Sequence, residues 1–295
     1  MRIRAEKLNK GVLYMLIASA SLAIVSAFAK VLSDQMPTIE IVFFRNLIGV
    51  IFILGTLFRT PFAQVGGKPW LLFFRGFIGM VAMLSYFYNL AHIPLADAVT
   101  FSRTAPIFTA LFAFWFLKER IGSRGWIAIF IGFLGLIMVM QPSGTLETSH
   151  IFGFLNAIGA ALAFTSIREL RKYYDTRAIV LIFMSMGLIV PITSMIISHY
   201  YMNPTYDFIL GVFTMPQGIE WLYLVGLGIF AYLSQFYMTK AYGESKAGII
   251  GAVSYSVILF SIVIGVALGD ELPSLLTFAG IGFIIFGGIM VIKAK

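Results

Sequence analysis

The sequence predicts an all-α membrane protein of ten transmembrane helices, built as a 5+5 inverted-topology repeat with both termini in the cytoplasm. Three observations predict it. Long apolar runs fill most of the chain, Lys and Arg gather in alternate connections between those runs, and short motifs recur in the same order in each half.

Of the 295 residues, 60% are hydrophobic and only 12% are charged. The mean hydropathy is +0.94. A soluble fold cannot hide that much apolar surface, whereas lipid accepts it. The formal charge of +8 would suggest nucleic acid as a partner for a soluble chain. Here the cations fall in connections that mark the cytoplasmic face, so no nucleic-acid partner is expected. The absence of cysteine excludes a disulfide framework and thiolate metal sites. The basic start "MRIRAEKLNKG" leads into an apolar run without a small-residue cleavage signature, so the first helix is expected to be retained.

A helix needs about 20 apolar residues to cross the hydrocarbon core. Runs of that kind lie near 10–32, 38–58, 69–91, 95–118, 123–141, 150–171, 177–198, 218–240, 246–268 and 274–293. Most breaks are short and carry turn or charged residues, such as "SDQMP", "AHIP", "RKYYDTR" and "GDELPS". The longest, from His199 to Gln217, contains Pro204 and Pro216 and is expected to hold a short interfacial helix.

The cations test this order. With the N-terminus inside, the inner segments hold Arg2, Arg4, Lys7 and Lys10, then Arg59 and Lys68, then Lys118, Arg120 and Arg124. They continue with Arg168, Arg171, Lys172 and Arg177, with Lys240 and Lys246, and with Lys293 and Lys295. The outer connections hold none, which is the positive-inside pattern. A missed helix would scramble that parity. Only Lys30, Arg45, Arg75 and Arg103 lie within spans.

The halves resemble each other weakly. "FLKERIGSRGWIAIFIGFLGLIMV", ending at Val139, matches "ALGDELPSLLTFAGIGFIIFGGIMV", ending at Val291, and pairs Glu119 with Glu271. "YFYNLA", ending at Ala91, matches "QFYMTKA", ending at Ala241. Five helices per half is odd, so the second copy must insert inverted, an architecture common in secondary transporters. Glu119 and Glu271 are expected to serve as salt bridges or caps.

The segment "PLADAVTFSRTAPIFTALFAFWFLKERIG", Pro94 to Gly122, and the preceding "FFRGFIGMVAMLSYFYNLA" resemble the EamA-type transporters of the drug/metabolite transporter superfamily. With the helix count and the repeat, the resemblance covers nearly the whole chain. It implies a first repeat over 1–141 (helices 1–5) and a second over 150–295 (helices 6–10). Helices 1–4 and 6–9 would surround a cavity, with helices 5 and 10 to one side. It also implies alternating-access transport of a small polar metabolite without a cofactor, and it does not specify a substrate. The expected location is the lipid bilayer of a bacterial inner (cytoplasmic) membrane.

Charges inside spans must earn their place, because a central Arg or Lys costs from a few to over ten kcal/mol and usually faces a cavity or an acid. Arg103 lies roughly 12 Å below the outer end of the fourth span and Arg45 roughly 10 Å below that of the second, at 1.5 Å per residue. Lys30 lies nearer the outer surface. Arg75 sits near the inner end of the third span, where its stem is expected to snorkel outward to the cytoplasmic interface. In the second half Ser254 stands near the position of Arg103 and Phe183 near that of Arg45, so neither charge is repeated. That asymmetry favours a ligand over a folding role.

The expected substrate group is therefore a carboxylate or phosphate bound by Arg103, with Arg45 assisting and Lys30 helping outer access. Asp97 and Glu40 are the acids that compete for these cations, and they are candidates for proton coupling. Pro106, one turn from Arg103, is expected to kink its helix and gate the site. Tyr86, Tyr88 and Asn89 of the third helix, Asn156 of the sixth, Gln235 and Tyr237 of the eighth, and Ser254 and Tyr255 of the ninth complete the candidate pocket. The glycines of helices 5 and 10 suit close packing, either between the halves or in a homodimer.

The sequence has no Walker-type phosphate loop, no metal-ligand spacing among His92, His150 and His199, and no acid–base pair that would mark an enzyme. Two rival readings stand beside an anion transporter. One is a broad exporter of amino acids or drug-like zwitterions and cations; the other is a lipid-handling membrane protein.

Overall fold

The computed structural model describes residues 2–63, 66–117, 122–140, 148–201, 211, 213–244, 250 and 253–293. Glu119, Lys118, Arg120 and Lys246 lie outside the described residues, as does most of the 199–217 connection where an interfacial helix was expected.

The described chain is helical and contains no strand. The elements are α1 (Arg2–Ser33), α2 (Thr38–Leu57), α3 (Pro69–His92), α4 (Leu95–Ser102), α5 (Ala105–Leu117) and α6 (Ser123–Met140). Then come α7 (Thr148–Leu170), α8 (Thr176–Tyr200), α9 (Glu220–Glu244), α10 (Ser256–Ala267) and α11 (Leu275–Lys293). Six helices have segments long and apolar enough to cross a membrane: Lys10–Ser33, Thr38–Leu57, Pro69–His92, Thr148–Ile167, Thr176–Tyr200 and Glu220–Glu244. α1 extends past its apolar part into the basic N-terminal segment. α8 runs through Pro191 as one helix.

The fourth expected span is not one helix. It divides into α4 and α5 at Arg103 and Thr104. The Arg103 N–H bonds Val99 O and Thr100 O, both at 3.0 Å, closing α4. Ile107 N–H then bonds Thr104 O at 2.9 Å, opening α5. The chemistry of Pro106 accounts for the position. A residue there would normally donate to the carbonyl four places back, at Ser102, but proline has no N–H. The kink expected at Pro106 is thus a full break, and proline occupies the second position of α5, where the missing donor costs nothing. Ser254 and Tyr255 form a comparable turn ahead of α10.

The helices pack as a bundle. α1 lies against α9 and α10, α3 against α7 and α8, α2 against α8 and α9, and α4 and α5 against α7. α6 pairs with α11 apart from these. Lipid tails are as apolar as Leu, so such helices associate through close packing and hydrogen bonds rather than hydrophobic burial. Gly135 shows how: a Cβ there would stand 2.6 Å from Gly280 O and 2.8 Å from Phe283 Cβ. Gly135 and Gly280 therefore let α6 and α11 approach closely. Ala23, Val42, Phe87, Val180, Leu227 and Ile258 belong to the main buried cluster. Phe52, Phe73, Trp126, Phe130, Leu222 and Phe286 point outward, as lipid contact requires.

Each end of the bundle is tied. At one end Lys68 Nζ meets Glu169 Oε1 at 2.9 Å, and Lys172 Nζ meets Glu169 Oε2 at 2.6 Å. Arg177 Nη1 donates to Thr60 O at 2.8 Å and its Nη2 to Pro61 O at 3.1 Å. At the other end Lys30 Nζ donates to Ile93 O at 3.2 Å, and Leu95 N–H donates to Asp270 Oδ2 at 3.0 Å. Thr214 donates to Glu40 Oε2 from N–H at 3.2 Å and from Oγ1 at 3.0 Å. The basic connections thus share one end and the cation-free ones the other.

Candidate functional site

A cavity of about 80 Å³ lies among α1, α2, α3, α4, α7, α8 and α9. Arg45, Arg75 and Arg103 all line it, together with Tyr86, Ser102, Asn156, Gln235, Phe87, Phe164 and Phe183. Among the described residues the lining includes no Asp or Glu. The three arginines are 2%, 2% and 6% exposed, so each guanidinium is held away from bulk water.

α3 supplies one wall. Arg75, Gly79, Ala82, Met83 and Tyr86 recur at the three- and four-residue spacing that shares one helix face. Gly79 is necessary on that face: a Cβ there would collide with Arg75 Nη1 and stand 2.9 Å from Phe183 Cδ2. Arg75 therefore does not snorkel to the interface. It turns inward, placing its guanidinium 4.5 Å from the Phe183 ring centroid, with Nη2 3.5 Å from Gln235 Oε1. Its Nε and Nη1 are buried without a hydrogen-bond partner among the described residues.

Arg45 approaches the same ring from α2, at 5.7 Å, and the Phe87 ring at 5.8 Å. Its Nη1 donates to Asn46 Oδ1 and contacts Met83 Sδ, each at 2.8 Å. Asn46 is itself fixed, because its Nδ2 donates to Val42 O at 2.8 Å and to Gly187 O at 3.0 Å. Gly187 permits that approach, since a Cβ there would stand 2.6 Å from Asn46 Nδ2. Arg103 caps α4 at the helix break and lies within electrostatic reach of Tyr86, Tyr242 and Tyr255. The Nε atoms of Arg45 and Arg103 are buried and unpartnered among the described residues.

The acids expected to compete for the arginines stand apart from them. Glu40 Oε2 accepts from Thr214 at the cation-free end of the bundle. Asp97 stands in the first turn of α4 near Asp270. Neither acid forms a salt bridge with Arg45 or Arg103 among the described residues.

The remaining candidates divide. Tyr86 shares a hydrogen bond with Ser26 at 2.6 Å, and Asn156 Nδ2 donates to Ala82 O at 2.7 Å while its Oδ1 stays unpartnered. These two and Gln235 join the arginines in the cavity. Lys30 is spent on the Ile93 carbonyl. Tyr88 stacks on His92 at 4.0 Å and lies 4.3 Å from Phe152, while Tyr237 packs on Tyr14 at 5.7 Å. Asn89, Ser254 and Tyr255 are buried outside the lining, and the Tyr255 hydroxyl is unpartnered among the described residues. Pro106 opens α5 beneath the break.

A larger depression of about 630 Å³ lies between the outer parts of α2 and α8, lined by Phe43, Phe44, Ile196, Phe213, Met215 and Trp221. It is mostly apolar, with His199 and Tyr200 also in its lining. Among the described residues no cluster of His, Asp or Glu is suited to a metal ion.

A helical bundle with three buried arginines around a central cavity suits a membrane transporter. Residues 9–141 match the EamA-like transporter family. The chain is 32% identical to an uncharacterized transporter of Helicobacter pylori (strain J99 / ATCC 700824), over 95% of this chain and 94% of that one. It is also 32% identical to the pseudopaline exporter CntI of Pseudomonas aeruginosa (strain UCBPP-PA14), over 98% of each. An S-adenosylmethionine uptake transporter of Rickettsia felis (strain ATCC VR-1525 / URRWXCal2) is 24% identical over 97% of this chain and 93% of its own. A solved crystal structure shares the fold with a TM-score of 0.62 at 18% identity, covering 97% of this chain and 96% of that one. The chain belongs to the EamA-like transporter family of the drug/metabolite transporter superfamily.

Proposed function

We propose that this protein is a secondary transporter that moves a small, polar, anion-bearing metabolite across the cytoplasmic membrane of a bacterium by alternating access. The observation that carries the reading is the convergence of Arg45, Arg75 and Arg103 on one cavity whose lining has no carboxylate. Uncompensated cations in a dry site are costly. A carboxylate or phosphate would neutralise them through charge-assisted, bidentate hydrogen bonds.

The neighbour pattern supports a 5+5 inverted repeat. Exchange α1 with α7, α2 with α8, α3 with α9, α4 and α5 with α10, and α6 with α11. The pairs α1–α9, α1–α10 and α2–α9 then become α7–α3, α7–α4/α5 and α8–α3, each of which exists, while α2–α8 and α6–α11 map onto themselves. The helix breaks at Arg103 and at Ser254–Tyr255 fit the same exchange. The basic connections support cytoplasmic termini.

The test is a charge-diverse uptake and counterflow screen in proteoliposomes, with Arg103→Ala and Arg45→Ala beside wild type. Anions should compete with one another, and Arg103→Ala should lose at least about tenfold in apparent affinity, the value of a charged hydrogen bond. A folded Arg103→Ala protein that transports every ligand as wild type does would overturn the reading. Selective competition by cations would favour the rival exporter of cations and zwitterions.

A further inference from the structure

Building on the anion-transport reading, we infer that the cavity selects a compact dianion, with one anionic group bridging Arg45 and Arg75 beside Phe183 and the second held by Arg103. Arg75 is then a ligand-binding and specificity-determining residue, not an interfacial anchor.

The arginines are not equivalent. Arg45 and Arg75 share one ring, at 5.7 and 4.5 Å from its centroid. They form a like-charged pair with no carboxylate in the cavity to separate them. In a medium of low dielectric such a pair is repulsive, and an anion between the two guanidiniums converts the repulsion into two attractions. Arg103 shares no ring with them. It stands at the α4–α5 break among the phenols of Tyr86, Tyr242 and Tyr255. Tyr86 is within electrostatic reach of both Arg45 and Arg103 and lines the same cavity.

The unfilled donors agree with two subsites. Arg45 Nε, Arg75 Nε, Arg75 Nη1 and Arg103 Nε are all buried without partners among the described residues. Buried donors left unmade cost about 1–3 kcal/mol each, more when charged, so these donors call for acceptors. One carboxylate accepts at one centre and leaves the other unmet. Two anionic groups serve both and reduce the local charge from three positive to one.

Each arginine is also positioned beforehand. Asn46 holds Arg45, Gln235 approaches Arg75, the backbone turn sets Arg103, and the absent side chain of Gly79 makes room for the Arg75 fork. The cavity of about 80 Å³ is only partly enclosed. All three arginines line this one small space, which favours a ligand with anionic groups only a few bonds apart.

The experiment measures ligand-induced thermal shifts and competition in counterflow for the purified full-length protein. The probes are butyrate, butyl phosphate, succinate, glutarate and 2-phosphoglycolate. The three compounds with two separate anionic groups should bind at least about tenfold more tightly than butyrate or butyl phosphate. Arg75→Gln should weaken succinate to the level of butyrate while leaving butyrate within about threefold, because only the bridged group is lost. Arg103→Gln should weaken both. Equal binding of butyrate and succinate by wild type overturns the inference. So does an equal loss of both ligands in Arg75→Gln, or butyl phosphate matching succinate. In those cases anions still bind and the anion-transport reading survives. If none of the anions binds, or organic cations alone do, that reading fails as well. If Arg75→Gln does not fold, Arg75→Lys reads the same quantity. It keeps the charge without the fork, and an undiminished preference for succinate in that variant overturns the bridging role.

Discussion

The guanidiniums of Arg45 and Arg75 come from different helices to the same aromatic ring, that of Phe183, and no carboxylate in the cavity lies between them. A ring face stabilises a nearby cation by about 0.5–2 kcal/mol, depending on desolvation. Phe183→Leu removes that support from both arginines and also opens space in the core. We expect a loss of about 1–3 kcal/mol in unfolding stability in detergent. Phe183→Tyr keeps the ring and should recover most of that loss. A Leu variant as stable as wild type would show that the ring does not hold the pair.

Gly79→Ala separates helix propensity from cavity geometry. Alanine favours a helix over glycine by about 1 kcal/mol, so propensity alone predicts a gain. At Gly79 the new methyl would collide with Arg75 and Phe183, and transport affinity should fall at least about tenfold. Gly55 is the control, since nothing lies within 4 Å of a Cβ there. Gly55→Ala should leave transport unchanged and hold or raise the unfolding temperature. Equal transport by the two variants would contradict the packing described for Gly79.

Asp270 governs the arginine at a distance. Its carboxylate accepts the Leu95 N–H at 3.0 Å, satisfying the first turn of the helix that ends at Arg103. Loss of a capping acceptor costs about 0.5–2 kcal/mol. Asp270→Ala should therefore lower the unfolding temperature, whereas Asp270→Asn, which still accepts, should lower it less. Indistinguishable melting curves for Ala and Asn would remove the capping role.

The end of the bundle that carries the basic connections has a pH signature. Lys172 and Lys68 hydrogen-bond the Glu169 carboxylate and hold its pKa down at about 2. For a depressed carboxylate, the stabilisation is complete above the ordinary value, near 4.5, and is lost as pH falls toward the folded-state value. The stability difference between wild type and Glu169→Gln should thus be constant from pH 5 to 8, shrink below about 4 and vanish near 2. A difference that changes between pH 6 and 8 would point to another titrating group.

Much of this arrangement is legible in the sequence. The spans follow from apolar length, and the grouping of connections follows from the cation parity. The special place of Arg103 follows from its depth and from the uncharged counterpart at Ser254. The sequence reading misplaced Arg75 because depth along a helix does not say which way a side chain turns. Distance from the inner end suggested snorkelling, yet Gly79 four residues on and Tyr86 a further two turns along define an inward face. That spacing was available as a signal. Phe183 is legible only as the counterpart of Arg45: in a chain with 29 Phe, composition does not distinguish a lipid-facing ring from one that meets two cations. The competition of Asp97 and Glu40 for the arginines also reads plausibly from depth. The Thr214 contact to Glu40 is not legible in the sequence, because it joins residues 174 positions apart.

The acid-free lining of the cavity bears on the kinetics of the whole cycle. On the proposed dianion reading, the carrier reorients with three unneutralised guanidiniums when empty and with one net charge when loaded. The loaded passage is therefore the cheaper one. Return with a second anion should outrun return without one, so labelled substrate should leave proteoliposomes faster into buffer that contains the same anion than into buffer that lacks it. An inside-negative voltage should act most strongly on the unloaded step. The protein would then behave as an exchanger, its direction set by whichever anion is more abundant on each side.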